Sequence, residues 1–164
     1  MPMPVNPVPL REDFLEVARL AGASIPREAL RIELLPAPHR RPSRLPPGGQ
    51  AVYAFFLGDR CLKVGKAGPK TNARFTSQHY GFNAPSTLAK SIDASRDLVA
   101  RLLSEATGAK ETPLPQRDRL GQWIERNTSR LNAFIPVSSG QFALALLEAF
   151  LQCRFKPVFE GKHE

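Results

Sequence analysis

The chain has 164 residues, of which 42% are hydrophobic and 23% charged, and this composition is typical of one globular domain. Its longest apolar stretches are too short to cross a bilayer, so no membrane-spanning segment is expected. The N-terminus carries prolines without a continuous apolar run, which argues against a secretory signal. Two cysteines, Cys61 and Cys153, do not predict a disulfide framework. We therefore expect a cytoplasmic protein.

The charge is unbalanced, because 23 lysines and arginines against 15 aspartates and glutamates give a formal net charge of +8. A surplus of this size favours a polyanionic partner, with nucleic acid first and an anionic membrane second, although a basic surface also serves solubility. Between Gly58 and Lys90 the only acidic residue is Asp59. The basic residues of this segment are Arg60, Lys63, Lys66, Lys70, Arg74 and Lys90. An anion should therefore bind in this central part of the chain.

Residues 1–48 predict an N-terminal helical arm followed by a proline-rich linker. The apolar spacing indicates a helix over Arg11–Ala21, a second short helix beginning at Pro26 and a strand over Ile32–Leu35. The stretch PAPHRRPSRLPPGGQ then holds five prolines and two glycines, which is typical of a linker rather than of a packed element.

Residues 49–164 predict the main domain. Ala51–Leu57 and Arg60–Val64 read as two strands joined at Gly58-Asp59, which is a β-hairpin pattern. Further along the chain the pattern predicts helices at Lys70–Tyr80, Ser95–Ala106 and Arg117–Asn127, a strand at Arg130–Val137 and an apolar helix at Gln141–Phe155. This order predicts an α/β fold with a small antiparallel sheet of about three strands flanked by helices.

One carboxylate lies in an apolar environment. Glu148 belongs to the last predicted helix, and at helical spacing its neighbours include Leu144 and Leu151. Burying an unpaired carboxylate costs several kcal/mol, order of magnitude, so a cation or a hydrogen-bond donor should meet it. A structural pair with an arginine, a metal ligand and a general acid or base all remain open.

Four further residues form a constellation with Glu148. Tyr53 lies in the first strand of the hairpin, Lys63 in the second, and Gly65 ends the second strand; Arg74 follows the basic loop 66–70. Taken singly, these are a core aromatic, a solvated lysine and a surface arginine. Together they bring a phenol, an amine and a guanidinium to one end of the predicted sheet.

In these residues the chain resembles the GIY-YIG nuclease superfamily over roughly residues 49–161. Ala51-Val52-Tyr53 corresponds to the first motif and Lys63-Val64-Gly65 to the second, while residues 147–161 resemble the terminal block that contains the family glutamate. Ala51 replaces the glycine of the first motif, and Lys63 replaces a tyrosine, as in some restriction endonucleases of the superfamily. Residues 81–129 match poorly and are expected to form a helical insertion.

The resemblance also implies an asparagine contact near the end of the terminal block. Glu160 falls where that asparagine usually stands. Asn72, Asn83 or His79 could supply the contact instead.

The resemblance implies a metal-dependent endonuclease that hydrolyses DNA phosphodiester bonds. Tyr53 would act as the base, with its pKa lowered by Lys63, and Arg74 would clamp the phosphate. Glu148 would bind Mg²⁺ or Mn²⁺, which stabilises the leaving oxygen.

The resemblance further implies nucleic-acid contacts from Lys66, Lys70 and Lys90, with His79 as a second-rank candidate. The partner would be DNA, single- or double-stranded, and a homodimer is expected if both strands of a duplex are cut. No membrane partner is expected. The alternatives are a non-catalytic nucleic-acid-binding or regulatory protein on the same fold, and a basic protein-interaction module.

Overall fold

A computed structural model describes residues 3–160 of the chain. Met1, Pro2 and residues 161–164 lie outside the described residues. The first two belong to the expected N-terminal arm. The last four belong to the end of the expected nuclease domain, and Gly161 was also the last residue of the block that resembles the superfamily.

The core of the fold is one antiparallel sheet of four strands. These are β1 (Arg31–Leu35), β2 (Gly49–Leu57), β3 (Arg60–Ala67) and β4 (Ser129–Pro136). Their order across the sheet is β1-β4-β2-β3, so the β2–β3 hairpin and β4 are neighbours. The α/β class with an antiparallel sheet flanked by helices is confirmed.

The number of strands differs from the expected three. The fourth is β1, which comes from the segment assigned to the arm and pairs with β4 from Arg31 opposite Phe134 to Leu35 opposite Arg130. The strand itself was predicted, but a five-residue strand carries no information about its partner. Its pairing covers the edge of β4 that would otherwise expose unpaired backbone groups.

Helices cover both faces of the sheet. They are α1 (Pro7–Leu20), α2 (Asn72–Thr76), α3 (Leu88–Ala94), α4 (Arg96–Thr107), α5 (Leu120–Asn127) and α6 (Gln141–Phe155). The Asn6 side chain caps α1, and α4 ends at Gly108, whose φ of 71° is the left-handed conformation that glycine adopts readily. Within residues 3–160, no helix is both long and apolar enough to cross a membrane.

The sheet separates two hydrophobic cores. Alternate residues of β2 point to opposite faces, so Val52, Ala54 and Phe56 pack beneath α1 and α6. Tyr53 and Phe55 face the other way, into a core closed by the helices of the central segment. The second core holds the candidate site.

The region after the hairpin departs most from expectation. The single helix predicted over Lys70–Tyr80 is split into α2 and a 3₁₀ turn at Gln78–Tyr80, and α3 was not predicted. The proline-rich stretch has no helix or strand over residues 36–48, as its composition indicates, and its last two residues begin β2. The stretch is nevertheless fixed to the domain. His39 is 7% exposed, and its Nδ1 lies 2.7 Å from the carbonyl oxygen of Thr128.

Candidate active site

Tyr53 occupies the centre of the sheet. In register it lies between Gly65 of β3 and Asn132 of β4, and its side chain is fully buried. The ring rests directly on Gly65, where a Cβ atom would lie 2.8 Å from the hydroxyl oxygen and from a ring carbon. Side chains do not tolerate contacts this short, so the glycine makes room for the tyrosine.

A β-bulge turns Lys63 toward the same face. Phe55 pairs with Lys63 while Phe56 pairs with Cys61, which leaves Leu62 as the extra residue of β3. Because cross-strand partners share a face, Lys63, Gly65 and Tyr53 all face the second core.

His79 holds the Tyr53 hydroxyl. Its Nε2 lies 2.6 Å from the tyrosine oxygen, and its Nδ1 accepts a hydrogen bond from the backbone N–H of Leu88 at 3.1 Å. Burial lowers the pKa of His79 to about 3, with a smaller contribution from Lys63, so the ring is neutral. A neutral ring that accepts at Nδ1 carries its proton on Nε2. His79 therefore donates to Tyr53.

The pKa of Tyr53 departs from the sequence expectation. Burial raises it to about 12, and the nearby charge of Arg74 opposes this shift more strongly than that of Arg130 does. Glu148 raises the pKa further. The expectation of a pKa lowered by Lys63 is therefore wrong, because desolvation dominates and Arg74 is the main opposing cation.

Lys63 instead pairs with Glu160. The lysine side chain is 8% exposed, and its Nζ lies 3.3 Å from the Glu160 carboxylate. The segment before Glu160 is fixed to β3 by backbone hydrogen bonds from Val158 to Cys61 and from Phe159 to Leu62. Glu160 therefore reaches the candidate site through Lys63.

The three other candidates for the asparagine contact are separated by the fold. Only His79 meets Tyr53. Asn72 accepts a hydrogen bond from the backbone N–H of Leu45 at 2.6 Å and so anchors the proline-rich stretch, whereas Asn83 is exposed in the loop before α3.

Glu148 approaches from the opposite side of the sheet. It lies on α6, its side chain is 22% exposed, and Lys66 Nζ is 3.6 Å from its carboxylate. Lys66 pairs with Val52 in register and so belongs to the face that α6 covers. The cation beside Glu148 is thus a lysine rather than the arginine considered from the sequence.

The fit of a metal ion depends on this one carboxylate. Among residues 3–160, no group of three or more His, Cys, Asp or Glu side chains is arranged to hold a metal. Mg²⁺ commonly binds through one or two carboxylates and keeps several waters, and Glu148 is accessible enough to serve as such a ligand. The residues present therefore fit a water-rich Mg²⁺ or Mn²⁺ site, and they do not form an all-protein cage.

The remaining basic candidates are more dispersed. Arg74 is half-buried on α2 beside Tyr53, whereas Lys70 is exposed in the loop before that helix. Lys90 is half-buried in the first turn of α3, where its backbone N–H bonds to the Thr87 side chain at 3.2 Å.

The sequence reasoning missed Arg130, which is fully buried behind Tyr53. Its guanidinium donates to Asn132 Oδ1 at 2.8 Å and to the carbonyl oxygen of Phe75 at 2.6 Å. It also lies over three aromatic rings, with centroid distances of 4.8–5.0 Å to Phe75, Tyr53 and Phe55. The alternation Arg130-Asn132-Phe134 along β4 was the available signal, since it places all three on the Tyr53 face.

Comparison with known proteins adds no assignment: no protein-family model, curated protein or solved structure gives a significant match to this chain.

Proposed function

We propose that this protein is a metal-dependent endonuclease that hydrolyses DNA phosphodiester bonds on a GIY-YIG-like core. The observation that carries the proposal is the environment of the Tyr53 hydroxyl. It receives a hydrogen bond from His79, and the charge of Arg74 lowers its pKa while the charge of Glu148 raises it. A tyrosine and a histidine that are hydrogen-bonded to each other and both have shifted pKa values are typical of a functional site. The strand order supports it too, since the hairpin that carries both motif equivalents lies beside β4.

The groups around Tyr53 suit it as a proton acceptor. His79 can only donate to the phenol oxygen, and Arg74 and Arg130 are permanently cationic, so the oxygen is surrounded by groups that stabilise negative charge. Tyr53 would first release its own proton to solvent water that enters the site, and as the phenolate it would then take the proton of the attacking water. The pKa of about 12 is an obstacle to this role, which a cation near the hydroxyl would lower and the negative charge of a phosphate would not.

Arg74 would bind the phosphate, and Glu148 would bind the metal. The planar guanidinium of Arg74 matches two phosphate oxygens and offsets the charge that develops at phosphorus. Glu148 would hold Mg²⁺ or Mn²⁺, which when bound supplies Lewis-acid stabilisation of the leaving oxygen. Lys66 would release the carboxylate and join Lys70 and Lys90 as phosphate contacts.

Access to the hydroxyl requires a local movement. Tyr53 is fully buried, whereas Arg74 is half-buried on the same face of the sheet and Glu148 is partly exposed on the opposite face. Arg74 would move onto the phosphate and admit the attacking water to Tyr53. In this scheme burial, with a smaller contribution from the charge of Lys63, keeps the pKa of His79 low, so that the ring stays a neutral donor.

A specific observation favours the second candidate function, a non-catalytic nucleic-acid-binding or regulatory protein. The hydroxyl is inaccessible, its pKa is raised, and Lys66 neutralises Glu148. A protein that only binds would keep the basic surface and would not need any of these groups to be released.

Incubation of the pure protein with circular single-stranded DNA, supercoiled duplex and RNA, with Mg²⁺, Mn²⁺ or EDTA, tests the proposal. We expect linearisation or nicking of a DNA circle with either metal and intact circles in EDTA. Cleavage of both duplex strands should accompany dimer formation, measured by analytical ultracentrifugation. Binding of DNA without cleavage under any of these conditions would favour the second candidate.

A further inference from the structure

A groove outside the candidate active site has a lining suited to a nucleobase. Five residues of α5 and the position before it recur at intervals of three and four, so they share one helix face. They are Arg119, Gln122, Trp123, Arg126 and Asn127. Leu120 and Ile124 lie on a neighbouring face of the helix and are buried in the core.

The opposite wall of the groove is held in place. It consists of Leu103 on α4 and the segment 112–115. Arg96 fixes this segment, because its Nη1 donates to the carbonyl oxygen of Pro115 at 2.7 Å while its Nε donates to Asp93 at 2.8 Å. The groove encloses about 530 Å³, within the range of small-molecule sites, and it exists without a ligand.

The lining is cationic, aromatic and amide-bearing. Within the described part of the chain, no acidic side chain lines the groove, and neither Arg119 nor Arg126 forms an ion pair. Both arginines are exposed, and Trp123 is half-buried. Unpaired bases stack on aromatic rings and guanidinium planes, and side-chain amides bond their edges.

The groove is rigidly connected to the candidate site. Gly121 of α5 packs against the turn that carries His79, and a Cβ atom there would lie 2.5 Å from the carbonyl oxygen of Tyr80. A nucleotide bound along α5 would therefore be held at a fixed distance from the Tyr53–His79 pair.

We propose that this groove binds an unpaired nucleobase of a single-stranded nucleic acid, with the base stacked on Trp123 and its phosphates near Arg119 and Arg126. This inference rests on the proposed function only in assuming a polynucleotide substrate. It adds that the bound part of that substrate is single-stranded. An acidic peptide would also be attracted by the two arginines. The nucleobase is favoured because Gln122 and Asn127 add amide donors and acceptors beside a flat aromatic surface.

The intrinsic fluorescence of the protein reports on this site directly, because Trp123 is its only tryptophan. The full chain is titrated in EDTA, where no metal-dependent cleavage occurs, with a single-stranded oligonucleotide, an abasic oligonucleotide of the same length and a glutamate-rich peptide. Binding is followed in parallel by fluorescence anisotropy of a terminally labelled oligonucleotide. We expect the base-containing strand to quench Trp123, and the abasic strand to bind without quenching.

Substitutions provide the second measurement. We expect Trp123→Leu to weaken binding of the base-containing strand about tenfold and to leave the abasic strand unaffected, since stacking is lost and phosphate contacts are kept. Arg126→Ala should weaken binding of both strands. Arg101→Ala removes an exposed arginine of α4 outside the groove and is the matched control, expected to bind within about twofold of the wild type.

Equal quenching by the abasic strand, quenching by the peptide alone, or binding of the oligonucleotide without quenching would overturn the proposal. Circular dichroism is used to check that Trp123→Leu folds. If that variant does not fold, Arg126→Ala still tests the groove. The two proposals can fail separately. Quenching without cleavage would contradict only the nuclease proposal, and cleavage without quenching would contradict only the nucleobase site.

Discussion

At the scale of single residues, the surroundings of the Tyr53 hydroxyl determine whether it can act as a base. The phenol receives a hydrogen bond from neutral His79 and lies near the charges of Arg74 and Arg130, yet burial still raises its pKa to about 12. Two opposing effects therefore meet at one oxygen, and desolvation is the larger of them. A cation bound near the hydroxyl would shift that balance toward the ionised phenol, so the proposal assigns Tyr53 a role that substitution can test.

Replacement of Tyr53 by phenylalanine tests this role. Tyr53→Phe keeps the ring against Gly65, and the loss of a general base should reduce the cleavage rate about a hundredfold or more. Tyr80→Phe is the matched control, because it removes the hydroxyl of the other tyrosine, which is also buried. The rate constants are measured on a labelled substrate with Mg²⁺. If Tyr53→Phe cleaves as fast as Tyr80→Phe, Tyr53 is not the base.

The low pKa of buried His79 leads us to expect a lower free energy of unfolding in acid. Its pKa is about 3 in the folded protein and about 6.5 when unfolded, so below pH 6.5 the unfolded state binds more protons. The free energy of unfolding should therefore fall by about 2–3 kcal/mol between pH 7 and pH 4 through this residue. Urea denaturation across that range measures it. His79→Asn should show a weaker pH dependence, and an unchanged slope would contradict the buried neutral ring.

Some site residues could be predicted from the sequence and others could not. Tyr53, Lys63 and Gly65 follow from motif spacing on a hairpin, which is a local pattern. The donor role of His79 depends on the backbone N–H of Leu88, and the place of Arg130 depends on the pairing of β4 with β2. Such contacts join distant parts of the chain, and no local spacing encodes them.

At the scale of elements, the hairpin sets the geometry of the site. Tyr53 lies directly against Gly65 across the strands, and the bulge at Leu62 aligns Lys63 with the same face. β2 and β3 were predicted because hydrophobic strands around a Gly-Asp turn are a strong local signal. The bulge was not, because it arises from register.

Gly65→Ala is expected to destabilise the protein by about 1–3 kcal/mol, because the new methyl group would press on the Tyr53 ring. Thermal or urea unfolding measures the change. Gly68→Ala is the matched control, since a Cβ atom there meets nothing within 4 Å and the backbone φ is ordinary. Equal stability of the two variants would mean that the tyrosine does not lie against β3.

The helices show where local patterns suffice. The sequence predicts α6 with the bounds Gln141–Phe155 that the structure gives, because its apolar residues are dense and Pro157 follows. It misses α3 and the break after Thr76, where short turns are stabilised by tertiary contacts such as the His79–Leu88 hydrogen bond. Weak local preference at these positions is overridden by packing.

At the scale of the whole molecule, basic residues that contribute to the net charge of +8 lie in two regions. Lys66 lies beside Glu148 near the candidate active site, and Arg119 and Arg126 line the groove on α5. A single strand held by α5 and cut near Tyr53 would use both regions. The chain would then contact its substrate through α5 as well as through the residues around Tyr53.

The most direct test of the endonuclease proposal compares Glu148→Ala with Glu105→Ala, which removes an exposed carboxylate of α4. Cleavage of a DNA circle with Mg²⁺ and binding of the same DNA in EDTA are measured for each variant and for the wild type. We expect Glu148→Ala to bind DNA within about threefold of the wild type but to cleave at least about a hundredfold more slowly, because the metal ligand is lost. Glu105→Ala should behave as the wild type in both assays. Cleavage by Glu148→Ala at the wild-type rate would contradict the proposed metal site, and absence of cleavage by the wild type would contradict the nuclease itself.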